Sequence, residues 1–283
     1  MSGNGFSVRV ATADEVGAIV EWAASEGWNP GLSDAALFRA QDPEGFFVGV
    51  EDGVPVSAVS VVNYGDALSF LGLYIVREGW RGKGFGMATW RAGLAHAGTR
   101  PVGLDGVVAQ QDNYRRSGFA LAHRNVRYAG TVAAPTASEA PGIVAFGEVA
   151  FESVLAYDAA CFPADRATFL HGWVSAPSHH ARALLRDGRL AGFGVIRLCR
   201  EGHKVGPLFA DDRAGAEALF DALLAAAGGG LVFLDVPEPN GGAVSLAESR
   251  GLAPAFETAR MYTGPVRPVA ADRVFGITTF ELG

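Results

Sequence analysis

Residues 71–90 read LGLYIVREGWRGKGFGMATW, and the order of residue types in them decides the fold. The unbroken apolar run at 71–76 predicts a buried strand, and the charged residues after it predict a turn. Glycines at 82, 84 and 86 predict a loop, and Met87, Trp90 and Leu94 predict the apolar positions of a helix. Strand, glycine loop and helix in that order form an anion-binding construction. Glycines lack Cβ, so consecutive amides can converge on one point, and the helix start adds its unsatisfied N–H groups and positive dipole end.

Two phosphate fingerprints can be tested against these residues and both fail. A Walker loop needs Gly-Lys followed by Ser or Thr, and no Lys-Ser or Lys-Thr pair occurs in the chain. The dinucleotide fingerprint needs glycine where Met87 stands. What matches is Arg81-Gly82-Lys83-Gly84-Phe85-Gly86, the Arg/Gln-x-x-Gly-x-Gly/Ala pattern of the GNAT acyltransferase superfamily. A second block at 101–119, PVGLDGVVAQQDNYRRSGF, reads as a strand and a short helix, with Tyr114 five residues before Phe119. Both blocks stand in the order and at the separation of that superfamily, and the chain resembles it.

Working outward, the N-terminal half gives the element order β-α-α-β-β-β-α-β-α-β, with an Asp52-Gly53 hairpin between Phe46–Glu51 and the strand at 55–63. Residues 131–141, TVAAPTASEAP, read as a linker. Beyond them the pattern repeats: Phe151–Cys161 stands for the first helix, Asp187-Gly188 for the hairpin, 204–210 for the central strand and 214–227 for its helix. The expected fold is therefore α/β (α+β), with two tandem GNAT-like domains, each a mixed, mostly antiparallel twisted sheet flanked by helices. We divide it as 1–130 catalytic, 131–144 linker and 145–283 degenerate, the last ending in an extra strand at 273–282.

The copies differ at the chemistry. The second has Asp211-Asp212-Arg213-Ala214-Gly215-Ala216 in place of the glycine loop, and carboxylates at a helix mouth repel a pyrophosphate. It keeps the family's Asn-x-x-Ala spacing as Asn240 and Ala243, with Ala247 at the tyrosine position; the first copy has Tyr114 but Val107 at the asparagine position. Gln110 or Gln111 is then left to supply the missing pantetheine contact.

The resemblance implies acetyl-CoA as co-substrate and direct attack of an amine on its thioester in a ternary complex. It implies that Arg81, Gly82, Lys83, Gly84, Phe85, Gly86 and Met87 hold the pyrophosphate, that the amides of Ile75 and Val76 pair the pantetheine and polarise the thioester carbonyl, and that Tyr114 faces the sulfur as an acid. Asp105, a carboxylate in an apolar strand, either binds or deprotonates the substrate ammonium or is hydrogen-bonded structurally. Trp28 and Asn29 lie where the family places its acceptor-side loop. His179-His180 is no metal pair, since neighbours in a strand face opposite ways, and no metal is assigned.

A net charge of −7 argues against nucleic-acid or anionic-membrane partners and suits a small cationic substrate. Two cysteines are too few for a disulfide framework, no signal-peptide pattern or run of about 20 apolar residues is seen, and a cytoplasmic enzyme is expected. The expected acceptor is a small-molecule amine. An acyl-CoA sensor and an enzyme acylating proteins or peptides are the alternatives, and monomer and homodimer both stay open.

Overall fold

The computed structural model describes residues 5–136 and 140–283, so part of the expected linker, 137–139, lies outside the described residues. In chain order the first half comprises β1 (Ser7–Val10), α1 (Ala13–Ser25), α2 (Asp34–Gln41), β2 (Phe46–Glu51), β3 (Val54–Tyr64), β4 (Leu68–Val76), α3 (Phe85–Ala97), β5 (Val102–Val107), α4 (Gln111–Arg116) and β6 (Ala120–Val132). The second comprises β7 (Ile143–Ala145), α5 (Phe151–Cys161), α6 (Ala167–Ser175), β8 (His179–Arg186), β9 (Arg189–Leu198), β10 (His203–Ala210), α7 (Arg213–Ala227), β11 (Gly230–Pro237), α8 (Gly241–Ser249), β12 (Ala253–Tyr262) and β13 (Val274–Gly276).

Local chemistry fixes these elements. Thr12 and Glu15 form a reciprocal capping box at the start of α1, and Arg9 grips the Glu15 carboxylate at 2.7 Å through two nitrogens. Along β3 the side chains alternate between two cores. Ala58 and Val62 join α1 and α2, whereas Val59 and Val61 join the Trp90 face of α3. The first of these cores is shared between the halves, because Phe169 and Trp173 of α6 and Val195 of β9 belong to it.

All thirteen strands of the described residues join in one sheet, ordered β1-β2-β3-β4-β5-β12-β6-β11-β10-β9-β8-β7, with β13 on β10. The pairings are antiparallel except β4 with β5 and β10 with β11. The order shows that the halves exchange their last long strands. β6 pairs with β11 of the second half, β12 pairs with β5 of the first, and β6 and β12 run side by side between them.

In each half the parallel pair separates part-way along. β4 and β5 pair only from Ser69–Val102 to Leu71–Leu104, after which β4 bulges at Leu73, a non-glycine residue at φ 47. The wedge so opened in the first half is a cavity. In the second half the corresponding wedge is filled by the chain's own tail: β13 pairs with Leu208 and Phe209 of β10, and the Ile277 amide bonds the Asp235 carbonyl of β11 at 2.9 Å. The expected strand at 273–282 is thus confined to Val274–Gly276, and the residues after it cross to the first half.

Candidate active site

A cavity of about 410 Å³ lies in the first-half wedge and is walled by both halves. One side is residues 71–76, and the other is residues 104–107 with Gln110 and Tyr114. Trp28 and Glu26 come from the loop after α1, Arg127 from β6, Phe256 and Thr258 from β12, and Phe280 and Glu281 from the tail. Beyond Leu71, β4 has no paired residue on β5, so its edge faces the cavity.

At the start of α3 the loop leaves backbone amides available. Gly84, at φ 87, is the N-cap residue and supplies no side-chain cap, and Gly82 also has positive φ; the space around both is open. The matching end of α7 is closed by its own side chain. The Asp212 carboxylate accepts from the Gly215 amide at 2.8 Å and is held by Arg186 at 2.5 and 2.9 Å. Its hydrogen bond from Arg186, followed by that from Gly215, lowers its pKa to about 2. An acyl-CoA pyrophosphate therefore has uncapped donors at α3 and a fixed anion at α7.

The sequence-predicted residues separate into three groups. Trp28, Ile75, Val76, Arg81, Asp105, Gln110 and Tyr114 line the cavity. Gly82, Lys83, Gly84, Phe85, Gly86 and Met87 form the loop and first turn outside it: Lys83 lies over the Trp80 ring at 4.7 Å, Phe85 stacks on Phe6 at 4.6 Å, Gly86 packs under Tyr74 and Val76, and Met87 is exposed. Arg81 turns back, bonding the Val76 carbonyl at 2.9 Å and Glu26 at 2.5 Å. Asn29 belongs to neither group. Its amide exchanges two hydrogen bonds with the Glu201 backbone, both at 2.9 Å, and so joins the halves rather than facing an acceptor.

Tyr114 stacks on Trp90, with ring centroids 5.7 Å apart. Burial, with a smaller contribution from Tyr74, pushes its pKa up to about 12. The phenol is thus a firm hydrogen-bond donor at neutral pH. Complete proton transfer to a thiolate of ordinary pKa, near 8.5, would run uphill by about 5 kcal/mol.

Asp105 is engaged elsewhere. Both its oxygens meet Arg260 of β12, at 2.9 and 2.6 Å, and one also accepts from Asn125 at 2.7 Å. Arg127 and Asp235 repeat this arrangement at 2.6 and 2.8 Å. Each pair sits at directly opposed positions of an exchanged strand and its host, Arg260 opposite Asp105 and Arg127 opposite Asp235. Burial opposes both Arg260 and Asp235 charges, but their partners outweigh it, raising the first pKa and lowering the second. The twin of Asp105 lies where the tail fills the wedge, and each carboxylate bridges an exchanged strand to its host. Asp105→Asn and Asp235→Asn should each cost about 3–5 kcal/mol by stranding a buried guanidinium. Chemical denaturation should show similar losses for both. A fall in turnover with unchanged stability for Asp105→Asn alone would return that residue to the chemistry.

The sequence reading passed over three features. Glu281 and Thr258 enter from far along the chain, with no motif around them. Lys204, whose pKa burial lowers to about 8, donates to the Trp28 carbonyl at 2.9 Å beside Arg127 at 3.0 Å, so the second half helps fix the loop after α1. Gln110 lines the cavity and Gln111 does not, and Asn240 has a different task. Its oxygen caps α8 at Gly242 and Ala243, and its amide nitrogen holds the tail at Ala271, Asp272 and Val274.

The fold and this wedge define an acyltransferase built from two related units. Residues 14–121 match the Acetyltransferase (GNAT) family and residues 154–276 an Acetyltransferase (GNAT) domain, and the chain belongs to the GNAT family. It is 31% identical to holothin acyltransferase from Pseudoalteromonas sp. (strain SANK 73390), over 98% of this chain and 95% of that one. Among solved structures, a putative acetyltransferase from Pyrococcus horikoshii superposes with a TM-score of 0.84 at 21% identity, covering 100% of this chain and 98% of that one. A tandem GNAT protein from the clavulanic acid biosynthesis pathway gives 0.64 at 15% identity, covering 92% and 99%. The chain is an enzyme, an acyltransferase of GNAT type, in a family that uses acyl-CoA. No helix among the described residues is long and apolar enough to cross a membrane.

Proposed function

We propose that the chain is a cytoplasmic N-acetyltransferase that transfers the acetyl group of acetyl-CoA to the amine of a small molecule by direct attack in a ternary complex. Residues 1–130 carry the donor site, 145–283 have become scaffold and acceptor wall, and 131–144 join them. The observation that carries this reading is the contrast between uncapped α3 at Gly84 and carboxylate-capped α7 at Asp212.

The loop 81–87 receives the pyrophosphate, and the free edge of β4 at Ile75 and Val76 offers amides to the pantetheine and the developing oxyanion. Such a donor contributes about 2.7–4 kcal/mol at comparable sites. Tyr114 donates a hydrogen bond to the departing sulfur. A compact acceptor suits the cavity, since Phe256, Thr258, Phe280 and Glu281 of the second half add walls to it. Trp28, Phe256 and Phe280 favour a flat body for that amine.

Calorimetry with acetyl-CoA should give one site per chain, and a panel of small primary amines should release free thiol. Two donor sites per chain, or no thiol release with any amine, would overturn the proposal. Tyr114→Phe should lower kcat about 10- to 100-fold and leave acetyl-CoA affinity within twofold. Unchanged kcat would remove the phenol from sulfur.

A further inference from the structure

From the course of the tail we infer that Glu281 is a catalytic residue, binding the acceptor's ammonium and taking its proton. The inference rests on the acyltransferase reading above and assigns the amine-binding group of that site.

The tail is placed with many restraints. After β13, Arg197 reaches the Thr278 carbonyl at 3.4 Å, and Thr279 closes a turn by accepting from the Leu282 amide at 2.9 Å and the Gly283 amide at 3.1 Å. Buried Tyr64 donates to the Leu282 carbonyl at 2.9 Å. The Phe280 ring lies 4.6 Å below the Arg127 guanidinium. Position 72 admits only glycine, since a Cβ there would collide with the main-chain oxygen of Glu281. β4 and the tail therefore touch where the thioester is expected.

Within this turn Glu281 lines the cavity, only 5% exposed, and its Oε2 has no hydrogen-bond partner. An unpartnered buried carboxylate oxygen is costly unless a ligand meets it. Thr258 on the same cavity also has a buried hydroxyl without a partner. Arg127, Arg197 and Lys204 all feel the charge of Glu281. Two of these are already matched, Arg127 by Asp235 and Arg197 by Asp34, which leaves Lys204 to balance Glu281. Asp105 is closed by Arg260, so among the cavity's carboxylates Glu281 and the more exposed, Arg81-bound Glu26 remain, and only Glu281 has a buried oxygen to offer.

The carboxylate takes one proton from the ammonium, freeing the nitrogen lone pair. The C–N bond forms at the thioester carbonyl, the C–S bond breaks, and a second nitrogen proton neutralises the departing thiolate. The amide and free CoA leave, and Glu281 returns its proton to water.

Two readouts test this independently. With the best amine of the panel, Glu281→Gln should lower kcat/KM at least 100-fold, with acetyl-CoA affinity within twofold and the melting temperature unchanged. Glu281→Asp, which keeps the charge but withdraws it by one methylene, should retain measurable turnover. The second readout needs no turnover. In the presence of CoA, benzylamine should bind the wild type at least tenfold more tightly than benzyl alcohol, and Glu281→Gln should erase that preference. Absence of thiol release with any amine, alongside this preference, would sink the acyltransferase proposal and leave the ammonium site standing. A Glu281→Gln enzyme within threefold of wild type, or equal binding of the amine and the alcohol to wild type, would overturn the inference.

Discussion

A chain ending at Arg273 is expected not to fold. Deleting residues 274–283 removes Val274, Phe275, Ile277, Phe280 and Leu282, all buried. At about 1.5–3 kcal/mol for each such side chain the loss is roughly 8–15 kcal/mol, as large as the whole net stability of a typical protein. It also strips β10 of one of its two partners at Leu208 and Phe209, leaves Tyr64 without its acceptor and takes the Val274 acceptor from the Asn240 amide. Soluble yield and calorimetric melting check the outcome. A truncated chain with an unaltered melting temperature would show that the tail contributes nothing to the second half's core.

Gly84→Asp should reduce acetyl-CoA affinity at least 100-fold and leave the chain folded. The substitution imports into α3 the device that closes α7, a carboxylate at the N-cap. Aspartate is a good N-cap, which offsets part of the cost, about 1–2 kcal/mol, of a Cβ at left-handed φ. The same carboxylate faces the diphosphate as a like charge, and a 100-fold loss requires only about 2.7 kcal/mol. Calorimetric titration reads the affinity, and melting confirms the fold. A dissociation constant within threefold of wild type would remove this loop from donor binding.

The glycine loop and the internal repeat could be read from the sequence because their signals are local: special backbone angles at Gly82 and Gly84, the hairpin glycines, and the apolar periods of β3, β4 and α3. The exchange of β6 and β12 could not. An alternating strand states which face it buries and says nothing about its neighbour, so residues 124–128 read equally well as the last strand of the first half. The same blindness explains Asp105. A carboxylate in an apolar strand signals a buried partner or a ligand, and its partner, Arg260, stands on β12 of the other half. Glu281 carries no sequence signal, because only the course of the chain after β13 brings it to the first-half cavity. α6 was likewise passed over, and its Trp173 is wholly buried in the core shared by both halves.

The exchanged strands also set a timetable for synthesis. β5 ends at Val107 and its neighbour β12 begins at Ala253, so the sheet edge that flanks the donor site stays open while the intervening chain is made. At ribosomal rates of 5–20 residues per second that interval is roughly 7–30 s, long compared with the folding of most small domains. The nascent first half is thus an incomplete sheet with a bare hydrogen-bonding edge at β5, a form prone to wrong pairing until the late β12 arrives. The finished pair, in turn, cannot be separated by cutting the connection near residue 140, since each half would still own a strand lodged in the other.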